Sequence, residues 1–262
     1  MLPILFSTLK TGLRVGIILV LILMPACSSV GSTENLPFIP GEKLTFQLRW
    51  ENIPAGHAVF EVRPVKEHNG EQVHHFVLTA STNSTIDVFY KVRDRFESYT
   101  DLEMRNSLMF KKKQREGSYK KDALAEFDWT NSQVNYTLRG EQKAPLVGIP
   151  PGAFDPLSAF YFIRMMELKT GSSMERPITD GSKKFMGRIK VVGREMLTLE
   201  SGTYDTFVVE PETTHIGGVF QKSKDPKLRF WITADERRIP VRIKSKVVVG
   251  HFIVDLVAVE GI

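Results

Sequence analysis

The chain of 262 residues has a single cysteine, Cys27. No intrachain disulfide can form, so the fold must be held by its core alone, even in an oxidising compartment. No apolar run approaches the roughly 20 residues that a membrane-crossing helix needs. Val15 to Met24, the most apolar stretch, stops well short of that. The sequence lacks G-x-S-x-G, H-E-x-x-H, a phosphate-cradling G-x-x-x-x-G-K loop and a dinucleotide glycine pattern. His57, His68, His74, His75, His215 and His251 are scattered. His74 and His75 are neighbours, but adjacent residues on a strand point to opposite faces. No metal-ligand spacing results, and neither a metal site nor a cofactor is expected.

The apolar run has a context. Lys10 and Arg14 precede it, and Leu23-Met24-Pro25-Ala26-Cys27 ends it. This is the layout of an exported precursor, with a basic start, a short apolar core and a small residue at the cut. It resembles a bacterial lipoprotein signal, in which Cys27 becomes the lipidated first residue. Met24 and Pro25 depart from the commonest residues at those positions. Each buried CH₂ of an acyl chain contributes about 0.8 kcal/mol, so two or three chains hold a protein on a membrane. Ser28 follows the cysteine, which in enterobacterial lipoproteins implies the outer rather than the inner membrane. The expectation is a signal over residues 1–26, a tether over 27–40, and a lipid-anchored domain facing the periplasm.

Strong charge of one sign is also missing. Lys10 and Arg14 leave with residues 1–26 and no acid does, so the net charge falls from +5 to +3. A mature chain this mildly basic is not expected to bind nucleic acid.

From Gly41 the dominant pattern has period two. Leu44, Phe46, Leu48 and Trp50 alternate with polar residues, and Ala58, Phe60 and Val62 repeat the pattern after a turn expected at Ile53–Gly56. Further strands are expected over 73–79, 92–99, 108–115, 123–129 and 134–138. Asp155-Pro156 then reads as an N-cap with proline at the first helical position. The segment that follows is apolar on several sides, which predicts one buried helix near 155–168. Strands resume at 186–192, 196–199, 206–210, 228–233, 241–249 and 252–259, with breaks at Gly193 and other turn residues. The hairpin spacing argues for antiparallel pairing. The predicted fold is mainly β: a large antiparallel curved sheet or open barrel around one helix. It forms a single domain over 41–262, or two β halves flanking the 150–170 region.

Few residues carry a chemical signal. In KVRDRFESY, Asp94 shares a strand face with Val92 and Phe96, while Glu97 lies on the other face. A buried Asp94 would need an Arg, Lys or backbone partner. No catalytic residue is assigned. Lys111, Lys112, Lys113, Arg115, Lys120 and Lys121 form the strongest charge cluster, on a hairpin turning at Gly117. They would meet anionic lipid head groups, or else keep edge strands solvated. Phe160, Tyr161 and Met165 are the candidates for lining an apolar pocket. Phe89, Tyr90, Phe110, Phe127, Trp129, Phe154 and Phe162 are further apolar stock for a pocket or a filled core.

Several segments are familiar together: GEKLTFQLRWENIPAGHAVFEV at 41–62, KVRDRFESYTD at 91–101, FKKKQREGSYKKD at 110–122 and FDPLSAFYFIR at 154–164. VVGREML, GTYDTFVVEPE and LRFWITADERRIPVRIKSKVVVGHFIVDL complete the series between residues 191 and 256. In this order the chain resembles the bacterial exported-protein family called domain of unknown function 3108. The resemblance implies an envelope protein of mainly β structure. It supplies no established activity and no catalytic residues.

Three functions remain open at this level. The first is a non-catalytic envelope lipoprotein whose β domain binds a lipid or other apolar ligand. The second is a module that binds another envelope protein or the cell wall. The third is a hydrolase acting on envelope glycans or lipids through carboxylates such as Asp94, Glu97 or Asp101. A cavity next to the helix would favour the first, and a filled interior the second.

Overall fold

The computed structural model describes residues 36–212, 228–246 and 250–262. Cys27, the signal segment, the tether up to residue 35 and His215 lie outside them. The alternation at the start produces β1 (Lys43–Trp50) and β2 (Ile53–His68), which bury Leu44, Phe46, Ala58, Phe60 and Val62. β3 (Glu71–Thr82), a short helix α1 (Ser84–Asp87) and β4 (Arg93–Asp101) follow. Next come β5 (Ser107–Glu116), β6 (Tyr119–Asp128), β7 (Gln133–Leu138), and the two-residue strands β8 (Glu141–Gln142) and β9 (Val147–Gly148). Helix α2 (Pro156–Met165) separates these from β10 (Ser173–Thr179), β11 (Lys184–Leu199) and β12 (Gly202–Pro211). β13 (Leu228–Thr233), β14 (Pro240–Lys246) and β15 (His251–Glu260) complete the chain.

The strands form one sheet in the order β10-β11-β12-β13-β14-β15-β1-β2-β3-β4-β5-β6-β7-β8, with β9 also on β7. Neighbours are antiparallel, and the last strand pairs with the first, Phe46 opposite Leu256 and Leu48 opposite Val254. Residues 35–262 make one compact unit. Bulges at Thr45/Phe46, Leu48/Arg49, Val191/Gly193 and Trp231/Ile232 add local twist and bend the strands. Residues 149–155 then strap the two ends of the sheet together. Ile149 donates to Ser132 O, Ser107 to Ala153 O, Phe154 to Pro177 O, and Thr179 back to Phe154 O.

Several boundaries differ from the sequence reading. Residues 36–40, expected in the tether, belong to the domain. Phe38 is buried edge-on against Phe76 and Tyr161, because its ring completes the core beside α2. The expected turn at Ile53–Gly56 is strand, and the reversal occurs at Glu51 with φ of +50°. Gly56 sits where β2 crowds β3: a Cβ there would lie 2.1 Å from the Ser81 carbonyl oxygen. Gly193 is a bulge inside β11, not a break. Helix α2 ends at Met165, since Met166 turns extended at ψ of 149°.

Candidate functional site

Helix α2 is anchored at both ends by buried polar groups. At its start the Asp155 carboxylate accepts from the Leu157 and Ser158 amides at 2.9 and 3.0 Å. The hydroxyls of Ser98, Ser107 and Ser158 each donate to it at 2.6 Å. Burial pushes the Asp155 carboxyl up, while the serine hydroxyls pull the other way. At the far end the Arg164 guanidinium donates to Glu42 Oε1 and Oε2 at 2.5 and 2.8 Å. It also donates to the carbonyls of Pro37 and Arg237 at 2.7 and 3.0 Å. Between these anchors Tyr161 stacks on Phe76 with centroids 4.0 Å apart, and Phe160 stacks on Phe60 at 4.7 Å.

This clamping sets one side of α2 into the core and leaves the other facing an open space. A cavity of about 550 Å³ lies between α2 and the inner faces of β10 and β11. Its wall carries Phe160, Phe162 and Ile163 from α2, Met166 just beyond it, and Phe230 from β13. From the opposite side come Met174, Ile178, Phe185 and Ile189. The register explains their common face, since Met174 stands opposite Ile189 and Ile178 opposite Phe185. Two lining positions are small, Ala159 on α2 and Gly187 on β11, opposite Arg176; beside Gly187 the Ile178 side chain fills the place, 2.4 Å from where a Cβ would stand.

Polar groups stand at particular points of this wall. Lys112 on β5 reaches Asp180 in the β10–β11 turn at 2.6 Å. Burial pushes the Asp180 carboxyl up, but the Lys112 ammonium and the Ser182 amide and hydroxyl outweigh it and hold the group at about 2. Burial pulls Lys112 down, against the opposing pull of the Asp180 carboxylate 2.6 Å away. Arg176 lays its guanidinium over Phe162, 4.2 Å from the ring centroid, and has no carboxylate partner among the described residues. Lys121 and Gln114 line the same space from the β5–β6 hairpin.

The residues singled out from sequence separate into different roles. Of the three pocket candidates, Phe160 is in the cavity wall; Tyr161 and Met165 pack in the core instead. The helix is too apolar to show from sequence which side is covered, and Met174 and Arg176 escape notice because the pattern around them does not read as a strand. Phe89 and Tyr90 are exposed. The basic run divides by strand alternation. Lys111 and Lys113 are exposed, Lys112 is buried in its ion pair, and Lys120 is exposed near the hairpin tip. Arg115 is held by Asp122 at 2.8 Å.

The three carboxylates considered for hydrolysis do not converge. Asp94 accepts the Arg115 amide at 2.8 Å, a backbone partner. Glu97 is bound by Arg95 at 2.8 Å, His75 at 3.0 Å and the Tyr99 hydroxyl at 3.1 Å. Asp101 accepts from the amides of Glu103, Arg105 and Asn106 and so shapes the 101–106 loop. Among the described residues no group of three or more His, Cys, Asp and Glu side chains is placed to hold a metal ion, and no helix is long and apolar enough to cross a membrane.

Comparison with known proteins matches residues 45–257 to the family model described as protein of unknown function, DUF3108. The chain belongs to the DUF3108 family. The match runs from within β1 to within β15 and so includes every strand that builds the cavity. No curated protein matches the chain. Among solved structures it is similar to a β-barrel-like protein of domain of unknown function DUF1849 from Brucella abortus, with a TM-score of 0.54 at 8% identity. That alignment covers 84% of this chain and 97% of the other, and it shows a shared β-barrel-like fold. A protein named as exported, with a YmcC-like fold, from Bacteroides fragilis aligns at TM-score 0.35 and 11% identity, over 86% and 98% of the two chains. A protein named as a lipoprotein, from Parabacteroides distasonis, gives 0.34 and 10%, over 85% and 96%. The last two superpose too loosely to bear on the fold of this DUF3108 member.

Proposed function

We propose that this DUF3108 protein is a cell-envelope lipoprotein, anchored through Cys27, whose β domain holds a lipid or another apolar ligand in the cavity beside α2. The cavity itself is the observation that carries the reading. About 550 Å³ falls within the usual range of ligand sites, and aromatic, branched and methionine side chains dominate its wall. Methionines such as Met166 and Met174 adapt to irregular apolar shapes. Burial of acyl CH₂ groups against such a wall contributes about 0.8 kcal/mol each. The signal-like N-terminus with Cys27 and Ser28 supports the envelope location and, by the enterobacterial pattern, the outer membrane with the domain facing the periplasm.

Native mass spectrometry of the protein extracted in mild detergent tests the reading. The expected result is a bound apolar species on the wild-type chain that is lost in Ala159→Phe, which fills the cavity from a helical position. A wild-type chain that carries no such species and does not bind a fluorescent acyl probe would count decisively against it.

A further inference from the structure

Val88, Phe89 and Tyr90 follow helix α1 and are 78%, 83% and 50% exposed. Single exposed apolar side chains are ordinary, whereas three consecutive ones form a local apolar patch. The backbone beneath them is held in place. Asn83 caps α1 by accepting the Ile86 amide at 2.9 Å and donates to Pro54 O at 2.8 Å. The amides of Phe89 and Tyr90 donate to Ile86 O at 2.9 and 2.8 Å. Asp87 is tied to Arg93 and Thr82.

The tip of the β5–β6 hairpin lies against this segment. The Gly117 amide donates to Lys91 O at 2.8 Å, and a Cβ at Gly117 would stand 2.9 Å from the Tyr90 ring. Tyr119, just past the tip, is 50% exposed. Beyond it a depression of about 400 Å³ is lined by Tyr119, Lys120, Lys121, Arg139 and Lys143, with Glu141 as its acid. Glu141 is already taken by Lys143 at 2.8 Å. Lys121 lines both this depression and the α2 cavity, so the basic face and the apolar space adjoin.

We infer that this face docks on an anionic phospholipid leaflet: the rings of Phe89 and Tyr90 with Val88 enter the interfacial region, and lipid phosphates sit over Lys120, Lys121 and Arg139. An aromatic tip beside a cluster of cations is the combination that an anionic bilayer surface takes up, through apolar insertion and the attraction of each cation to the negative surface potential. Tyrosine has the amphipathic ring found at membrane interfaces. The docking is independent of what occupies the α2 cavity.

The test uses the full-length lipidated protein in vesicles, with Phe89→Trp as a local reporter and the parent chain's own tryptophan emission subtracted. On phosphatidylcholine vesicles containing phosphatidylglycerol, the reporter's emission should shift to the blue and be quenched by brominated acyl chains. Adding Lys120→Glu and Arg139→Glu should lower the quenching severalfold while circular dichroism stays unchanged. A reporter that remains unquenched, or quenching indifferent to both the anionic lipid and the charge reversals, would overturn the proposal. So would self-association without vesicles that Phe89→Ser abolishes, since that would make the face a protein contact.

Discussion

Arg164 and Glu42 form a bidentate ion pair across 122 residues of chain, with side chains 0% and 1% exposed. The pair joins the end of α2 to the segment that leads into β1, and the Pro37 and Arg237 carbonyls occupy further guanidinium donors. Removing one partner leaves a buried charge without compensation, which typically costs about 3–5 kcal/mol. Arg164→Leu should therefore lower the urea midpoint strongly. The double variant Arg164→Met with Glu42→Leu should recover most of the loss, because it removes both charges together. A double variant no more stable than Arg164→Leu would show that the carbonyl contacts, not the charge pair, hold the helix end.

Asp155 does two tasks with one carboxylate: it caps α2 and satisfies three serine hydroxyls. Losing an N-cap costs about 1 kcal/mol, and buried hydroxyls left without an acceptor add about 1–3 kcal/mol. Asp155→Ala should lose about 2–4 kcal/mol in denaturant unfolding, and Asp155→Asn less, since the amide oxygen can still cap. Equal losses in the two variants would contradict this account.

Glu97 predicts a pH dependence of stability. Burial raises its pKa, but hydrogen bonds from Arg95 and His75 more than reverse this and hold it at about 2, below its ordinary 4.5. A depressed carboxylate contributes stability above its unfolded pKa and loses it as pH falls through the folded one. The advantage of wild type over Glu97→Gln should be full above pH 4.5 and vanish toward pH 2. Its size is at most about 3 kcal/mol. Parallel stability curves for the two proteins over that interval would refute the assignment.

Gly56 should tolerate no side chain. The Cβ of an alanine would meet the Ser81 carbonyl at 2.1 Å and Thr82 Cα at 2.8 Å, both backbone atoms that cannot rotate away. Gly56→Ala should shift β2 from β3 and cost more than the roughly 1 kcal/mol typical of point changes. Thermal unfolding compared with Gly140→Ala, where no atom lies within 4 Å of the added carbon, separates crowding from positive-φ strain.

Much of the fold is legible locally. The alternation in KLTFQLRW is visible as β1, and Asp155-Pro156 announces α2 at the residue where it starts. β10 escapes such a reading because SMERPIT places Arg176 between Met174 and Ile178 on the inward face, which breaks the apolar rhythm. That irregular residue lines the cavity, so the same feature hides the strand and marks the site. The run Lys111-Lys112-Lys113 shows a basic hairpin, and its alternation into opposite faces is also legible. That Lys112 is buried against Asp180 is not, since the partner lies 68 residues away.

The amino-acid sequence by itself determined the antiparallel β character, the start of the helix, the single cysteine and the family, because backbone periodicity, capping and motif order are properties of neighbouring residues. Only the tertiary structure decided that β15 closes on β1, that Arg164 finds Glu42, and that space remains beside α2. A cavity is what distant side chains fail to fill. Here side chains of α2, β10, β11 and β13, far apart in the chain, leave that volume open, and no local pattern records their meeting.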